Sequence, residues 1–414
     1  MAQVNITLTQ EEVLQVITGS RDDAIKFLLE RILNEVMKAE SEEQLGAAKH
    51  ERTEDRQDYR NGTRERELNT RIGTITLQVP RHRNEPFHTM VFENYKRSEA
   101  SLIATMVQMV IAGVSTRKVE KVIETLCGTS FSKSTVSELC KKLDFEIKAF
   151  NERPLDTSRY PFVMVDATYF KVREDHRIKS KAFMVALGFK QDGLREVIGF
   201  DVFDTEENYS WLTFFNKLKH RGLSGVKMII SDAHKSIRKA IADTFPDAAW
   251  QRCQVHLERN ILDATPIKYK EGLKMELRNM FNASSIEEAE RIKNSIVSDY
   301  QDVAKTAVEI LEYGFWDSMT VMGIKHRDLR IPLRTSNIVE RLNRELKRRS
   351  DVIQIFPNSE SVLRLMGAVT IEYNDIQSSF QRMYSEQRYK SMEPQITKTF
   401  LEIADRQHHE ILVA

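Results

Sequence analysis

The chain has 414 residues, enough for about three domains and more than one buried core. Its 62 Lys and Arg balance 61 Asp and Glu, so net charge neither demands nor excludes a polyanionic partner. Three cysteines, Cys127, Cys140 and Cys253, form no close pair and exclude a disulfide framework or a multi-cysteine zinc module. No apolar run reaches the roughly 18 residues of a membrane span, and the start MAQVNITLTQEEV lacks a basic and apolar leader, so a soluble, non-exported, cytoplasmic chain is expected.

From Ser20 to Ala39, Ile25, Leu28, Leu29, Ile32, Leu33 and Val36 recur at helical spacing behind Ser20 as a candidate N-cap. Between Lys49 and Arg83 periodicity vanishes; nine basic residues meet six acidic ones, which reads as an arginine-rich connector that either solubilises or touches a phosphate backbone. Thr74 to Val79 alternates like a short strand stopped by Pro80. Residues 101 to 143 read as helices, with a turn around Gly128 and a new helix opening at Ser132. That order has helix-turn-helix grammar, with Lys133, Ser134 and Thr135 exposed and Val136, Leu139 and Leu143 facing a partner; an ordinary helical pair reads equally well. NERPLDTSRY, residues 151 to 160, has linker composition and places a domain boundary there.

Beyond it, PFVMVDATYFKV, SKAFMVALGF and LREVIGFDVF predict a strand meander, followed by a helix, a buried strand at VKMIISDAH, a helix and a last strand at AAWQRCQVHL. The predicted order is β-β-β-α-β-α-β. From about 260 to 330 the pattern is helical, and further helices follow Asn337 and carry Leu363, Leu365 and Ile371.

Asp166 sits inside the first apolar strand and Asp232 ends the fourth, where a carboxylate gains nothing from packing. If those strands are adjacent, the pair forms an oxygen site suited to a hard cation such as Mg²⁺; each Asp alone also reads as a strand-end cap or ion-pair partner. From Lys325 to Arg349 nine basic residues face three acidic ones. On that helix Glu340, Arg344 and Lys347 share a stripe opposite Val339, Leu342 and Leu346, so an acid lies among cations able to hold phosphates. Glu340 is equally suited to a capping box opened by Asn337, and Glu345, one turn from Arg341 and Arg349, reads as an ion-pair partner.

With YRNGTRER, TRIGTITLQVPRHR, VDATYFKV, SWLTFFNKLKHRGL, SDAHKSIRKAI, WQRCQVHLERN and TSNIVERLNRELKRRSDVIQIFPN in order, the chain resembles the Mutator-type transposases of bacterial insertion sequences. The resemblance implies an α+β chain with a ribonuclease H-like mixed-sheet catalytic domain interrupted by an all-helical insertion and preceded by a mainly helical DNA-binding region. It implies Asp166, Asp232 and Glu340 as the acids of a DDE site with two Mg²⁺, Mn²⁺ able to substitute, cutting and joining DNA. The implied organisation is an N-terminal helical segment (1–48) open to dimerisation, a DNA-binding region (49–150), the first part of the core (158–259), the insertion (260–330), the last part (331–380) and a helical tail (381–414).

The partners so implied are double-stranded DNA, as terminal inverted repeats and target, and a second copy of the chain holding two DNA ends, in a prokaryotic, nucleoid-associated setting. Candidate DNA contacts are Arg60, Arg64, Arg71, Arg81, Arg83, Lys133, Ser134, Thr135, Arg252, Arg259, Arg344, Lys347 and Arg348. Cys253 and His256, a C-x-x-H pair also found in the family, lack the further ligands of a zinc site and read as active-site support. His234 reads as structural, and Trp316 as a core residue before a base-stacking one. The rival readings are another nuclease of the same fold, such as a junction resolvase, and a non-catalytic DNA-binding protein derived from a transposase.

Overall fold

The computed structural model describes residues 9–18, 21–48, 51, 56–70, 73–89, 91, 100–127, 131–378 and 382–413. They fall into two compact units that divide between Lys141 and Lys142. Among the described residues no helix is long and apolar enough to cross a membrane.

The first unit opens with α1 (Gln10–Thr18) and α2 (Arg21–Leu45), and the proposed cap Ser20 lies outside the described residues. Leu29, Leu33 and Met37 of α2 pack on Leu68, Ile75, Leu77 and Val79 of an antiparallel hairpin, β1 (Arg60–Thr70) and β2 (Gly73–His82). This corrects the connector reading: β1 hides because Leu68 is its one apolar residue, and its strand character comes from pairing with β2, Leu68 opposite Ile75. Pro80 does not stop β2; it sits opposite Thr63 in a two-stranded ribbon, where a missing N–H is tolerated. The helices α3 (Ala100–Ile111), α4 (Thr116–Cys127) and α5 (Lys133–Cys140) follow. They close around Leu102, Met106, Val119, Ile123 and Val136. Ser132 caps α5, its Oγ accepting the Thr135 N–H at 3.2 Å; Gly128 lies outside the described residues.

In the second unit α6 (Leu143–Glu152) comes first, so Leu143 belongs here and the Pro-bearing stretch of 151–160 runs inside this unit. The predicted order then appears: β3 (Phe162–Glu174), β4 (Arg177–Phe189), β5 (Arg195–Phe203), α7 (Asn208–His220), β6 (Met228–Ser231), α8 (Lys235–Thr244) and β7 (Ala249–Arg252). The sheet order is β5-β4-β3-β6-β7, with β4 antiparallel to both neighbours and β6 and β7 parallel to β3. One face buries Val163, Val165, Met184 and Ala186 against Trp211, Phe214, Phe215 and Ile237 of α7 and α8. On the other, Phe183 stacks on Phe200 and meets Phe170 edge-on. Burial of this two-sided apolar sheet is the main stabilising term of the unit.

As predicted, residues 260 to 330 are helical: α9 (Gln254–Asp263), α10 (Lys270–Phe281), α11 (Ile286–Tyr300), α12 (Lys305–Ser318) and α13 (Arg327–Leu333), around a separate core with Leu257, Leu277, Ile296, Leu311 and Phe315. The chain ends with α14 (Asn337–Ser350), α15 (Ser359–Ser378) and α16 (Glu386–Val413).

Both outer strands are closed by side-chain amides. On β5, Asn151 donates to the Phe200 carbonyl at 2.9 Å and accepts the Phe200 N–H at 3.3 Å, while Asn374 accepts the Val197 N–H at 2.7 Å. On β7, Gln407 of α16 accepts the Trp250 N–H and donates to its carbonyl, both at 2.8 Å. The turn from β4 to β5 is equally constrained: Gly193 has φ +83°, and a Cβ there would strike the backbone carbonyl of Tyr384. Gly193→Ala is therefore expected to cost about 2–4 kcal/mol, read from urea unfolding midpoints.

Candidate active site

The acidic pair is placed by strand register. Met164 of β3 lies opposite Ile230 of the parallel strand β6. Two residues further along each strand bring Asp166 and Asp232 level at the carboxyl end of β6, where ligand sites of such sheets form. Neighbouring strands run about 4.8 Å apart, so the two charges repel. Burial first, and then the Asp232 charge, push the Asp166 carboxyl up to about 7, although the Ala167 N–H and His256 pull it down.

The third acid comes from α14, whose Val339, Leu342 and Leu346 are buried. This packing turns Asn343 towards β3, where its Nδ2 donates to Asp166 Oδ2 at 2.8 Å, and sets Glu340 beside His256 of α9. The capping box does not form: Ser336 holds the cap position, with only its carbonyl accepting the Glu340 N–H at 3.0 Å. Glu340 Oε1 is buried and has no hydrogen-bond donor among the described residues, lying 3.5 Å from His256 Nε2. Contact with the Cys253 sulfur, joined by the charges of Asp232 and Glu340, pushes His256 up to about 9, so the imidazole is a cation among the three acids at neutral pH. Glu345 is an ion-pair residue, as expected, but with Arg348 in place of Arg341: Arg348 at 2.7 Å and Arg349 at 2.8 Å press its carboxyl down to about 2.

Cys253 stitches the site from beneath. Its N–H reaches the Ser231 carbonyl at 2.7 Å, and its sulfur accepts the N–H and Oγ–H of Ser336, each at 3.3 Å. Burial alone would raise this thiol, yet His256 and Ser336 hold it below its usual value. Cys253, His256 and Glu340 offer atoms within 4.8 Å of one another. The group offers three protein ligands, one fewer than a structural zinc site uses.

Sequence reasoning missed Glu206, between β5 and α7. It accepts the Tyr169 hydroxyl at 3.1 Å, and burial and the Asp232 charge raise its carboxyl. Its only sequence signal is an acid in the turn before a helix, which is common. Asn343 was also missed, although its spacing of three from Glu340 puts it on the same stripe.

The predicted nucleic-acid contacts divide. Arg344, Lys347 and Arg348 are exposed on α14 and Arg259 on α9, with Arg348 forked onto Glu345. Arg252 is a correction: at 5% exposure it lies inside the fold, beside Asp317 and under Gly314, because β7 is covered by α12 and α16. In the first unit Lys133, Ser134 and Thr135 are exposed at the start of α5, as are Arg64, Arg81 and Arg83 in the hairpin; Arg71 lies outside the described residues. Arg60 is committed, donating to the carbonyls of Ala47 at 2.9 Å and Ala48 at 3.1 Å, just past the end of α2. His234 is an exposed residue at the N-cap of α8. Trp316 is not in the core: it is 41% exposed, with the Arg406 guanidinium 5.6 Å above its ring.

Comparison with known proteins gives this arrangement a family. The family model of the Mutator family of transposases matches residues 1–379. The chain is 42% identical over 394 residues to the transposase for insertion sequence element IS256 in transposon Tn4001 of Staphylococcus aureus, covering 94% of this chain and 99% of that one. It is 38% identical to the transposase for element ISRM5 of Rhizobium meliloti, over 89% and 92% of the two chains. The transposase for element IS1081 of Mycobacterium tuberculosis is 34% identical, over 91% and 90%. Shared length at this identity leaves no part of the second unit's acidic site outside the match, and the chain belongs to the Mutator family of transposases.

Proposed function

We propose that this transposase binds the terminal inverted repeats of an insertion sequence and cuts and joins DNA at a DDE site formed by Asp166, Asp232 and Glu340. The observation that carries the reading is the convergence of three acids from β3, the end of β6 and α14, tied by the bond from Asn343 to Asp166. The donor set suits a hard divalent cation, Mg²⁺ or Mn²⁺: all three acids offer oxygen, Glu340 Oε1 lacks a donor, and Asp166 is held up to about 7 by burial beside Asp232. Bound divalent cations supply Lewis acidity at the phosphodiester and activation of the attacking hydroxyl.

The chain's own residues position the reactants. Arg344 and Lys347 lie on the exposed side of the Glu340 stripe, where they hold phosphates of the strand being cut. The His256 cation limits repulsion among the acids before DNA arrives. No side-chain nucleophile is required. In this reading the five-stranded sheet is a ribonuclease H-like core, α9 to α13 are largely its helical insertion, and α5 enters DNA with Lys133, Ser134 and Thr135 leading. A homodimer holds the two element ends.

The test is nicking and strand joining on DNA carrying the element's terminal repeats. Product in Mg²⁺ and none in EDTA is expected; equal product in both would sink the metal-dependent reading.

A further inference from the structure

We propose that Asn343 is a further residue of the acidic centre: its amide nitrogen fixes the Asp166 carboxylate, and its amide oxygen is a neutral ligand for the divalent cation. This inference rests on the acid-site reading above and adds a donor to it.

Asn343 Nδ2 donates to Asp166 Oδ2 at 2.8 Å. The opposite amide orientation would set one oxygen against another, so this is the favourable one while Asp166 is ionised. That choice fixes where Oδ1 goes. Asn343 Oδ1 is buried and has no hydrogen-bond donor among the described residues. Glu340 Oε1, three residues earlier on the same stripe, also lacks a hydrogen-bond donor, with the His256 imidazole 3.5 Å away. A buried acceptor without a donor is costly, and native folds retain few of them. Asn343 Oδ1, buried without a donor on the stripe that carries Glu340 and beside the Asp166–Asp232 pair, marks a place built for a positive ligand rather than for packing.

A carboxamide fits this place better than its near relatives. Aspartate would supply the oxygen but remove the donor to Asp166 and add charge to a crowded set. Leucine matches the volume and supplies neither group. Asparagine gives one donor to the acid and one oxygen to the cation.

The experiment is Mn²⁺ binding to the full-length protein by titration calorimetry, comparing wild type with Asp166→Ala, Asn343→Leu and Asn343→Asp, and with unfolding temperatures in EDTA as the check on folding. Asn343→Leu is expected to weaken Mn²⁺ about tenfold or more, with the oxygen-bearing Asn343→Asp binding at least several-fold tighter than Asn343→Leu. If Asp166→Ala weakens Mn²⁺ while Asn343→Leu binds as wild type does, the Asn343 proposal falls and the acid-site reading stands. If Asn343→Leu and Asn343→Asp are equally weak, the oxygen-ligand role falls. If Asp166→Ala itself binds as tightly as wild type, the acid-site reading is what fails.

Discussion

Glu340→Gln and Asp232→Asn are each expected to abolish strand cleavage, by about a thousandfold or more, while leaving binding to terminal-repeat DNA intact. Each change removes one charge and keeps the volume. Glu340 sits on a helix whose inward side is anchored by Val339, Leu342 and Leu346, so its loss does not disturb the packing of α14. Asp232 lies just past the end of β6 and outside the apolar layer. The control is Glu345→Gln on the same helix. Because Arg348 and Arg349 already occupy that carboxylate at the surface, the substitution should keep cleavage within about threefold and cost less than about 1 kcal/mol. Cleavage that survives Glu340→Gln but not Glu345→Gln would move the third acid one turn along α14.

Asp166→Asn is expected to do two opposite things: to abolish cleavage, and to stabilise the metal-free protein at pH 8 by about 2–4 kcal/mol. The folded carboxyl titrates at about 7, whereas the unfolded one keeps its ordinary value of 3.8. Between those values the folded state binds the proton more tightly, so wild-type stability falls as pH rises through the window and is level above it. Asparagine carries no such charge; its one oxygen keeps the Ala167 N–H bond, and its NH2 is satisfied if the Asn343 amide turns its oxygen inward. The gain should shrink to less than half at pH 5 and vanish below about 4. Urea unfolding in EDTA at the two pH values reads it directly, and equal stability of wild type and Asp166→Asn at pH 8 would show the Asp166 charge to be already compensated by His256.

The five-stranded sheet was legible because its strands are largely apolar runs of strand length, and an Asp inside such a run has no packing reason to be there. The helical block was legible through its 3.6-residue period. The hairpin strand β1 was not, because RNGTRERELNT takes its strand character from β2 and α2 rather than from its own alternation. Arg252 was misjudged for a related reason. Sequence shows a cation next to a strand end, but α12 and α16, which bury it, lie about 60 and 150 residues further along the chain. Asn343 and Glu206 escaped because neither residue type is unusual where it stands, and only the fold brings them to Asp166 and Asp232.

The amide-sealed sheet edges have a consequence for how the chain is made. Asn151 leaves the ribosome before β5, so the Phe200 end of that border is guarded as soon as the strand exists, while the Val197 end waits for Asn374. Gln407 lies in the last helix, about 155 residues after Trp250, and until α16 docks the β7 border is open to any extended strand nearby. A message broken or a ribosome stalled before α16 would release a chain with the whole acidic centre and an unguarded strand, prone to stick to its own copies. Synthesis through α16 thus doubles as the step that makes the five-stranded sheet safe in a crowded cell.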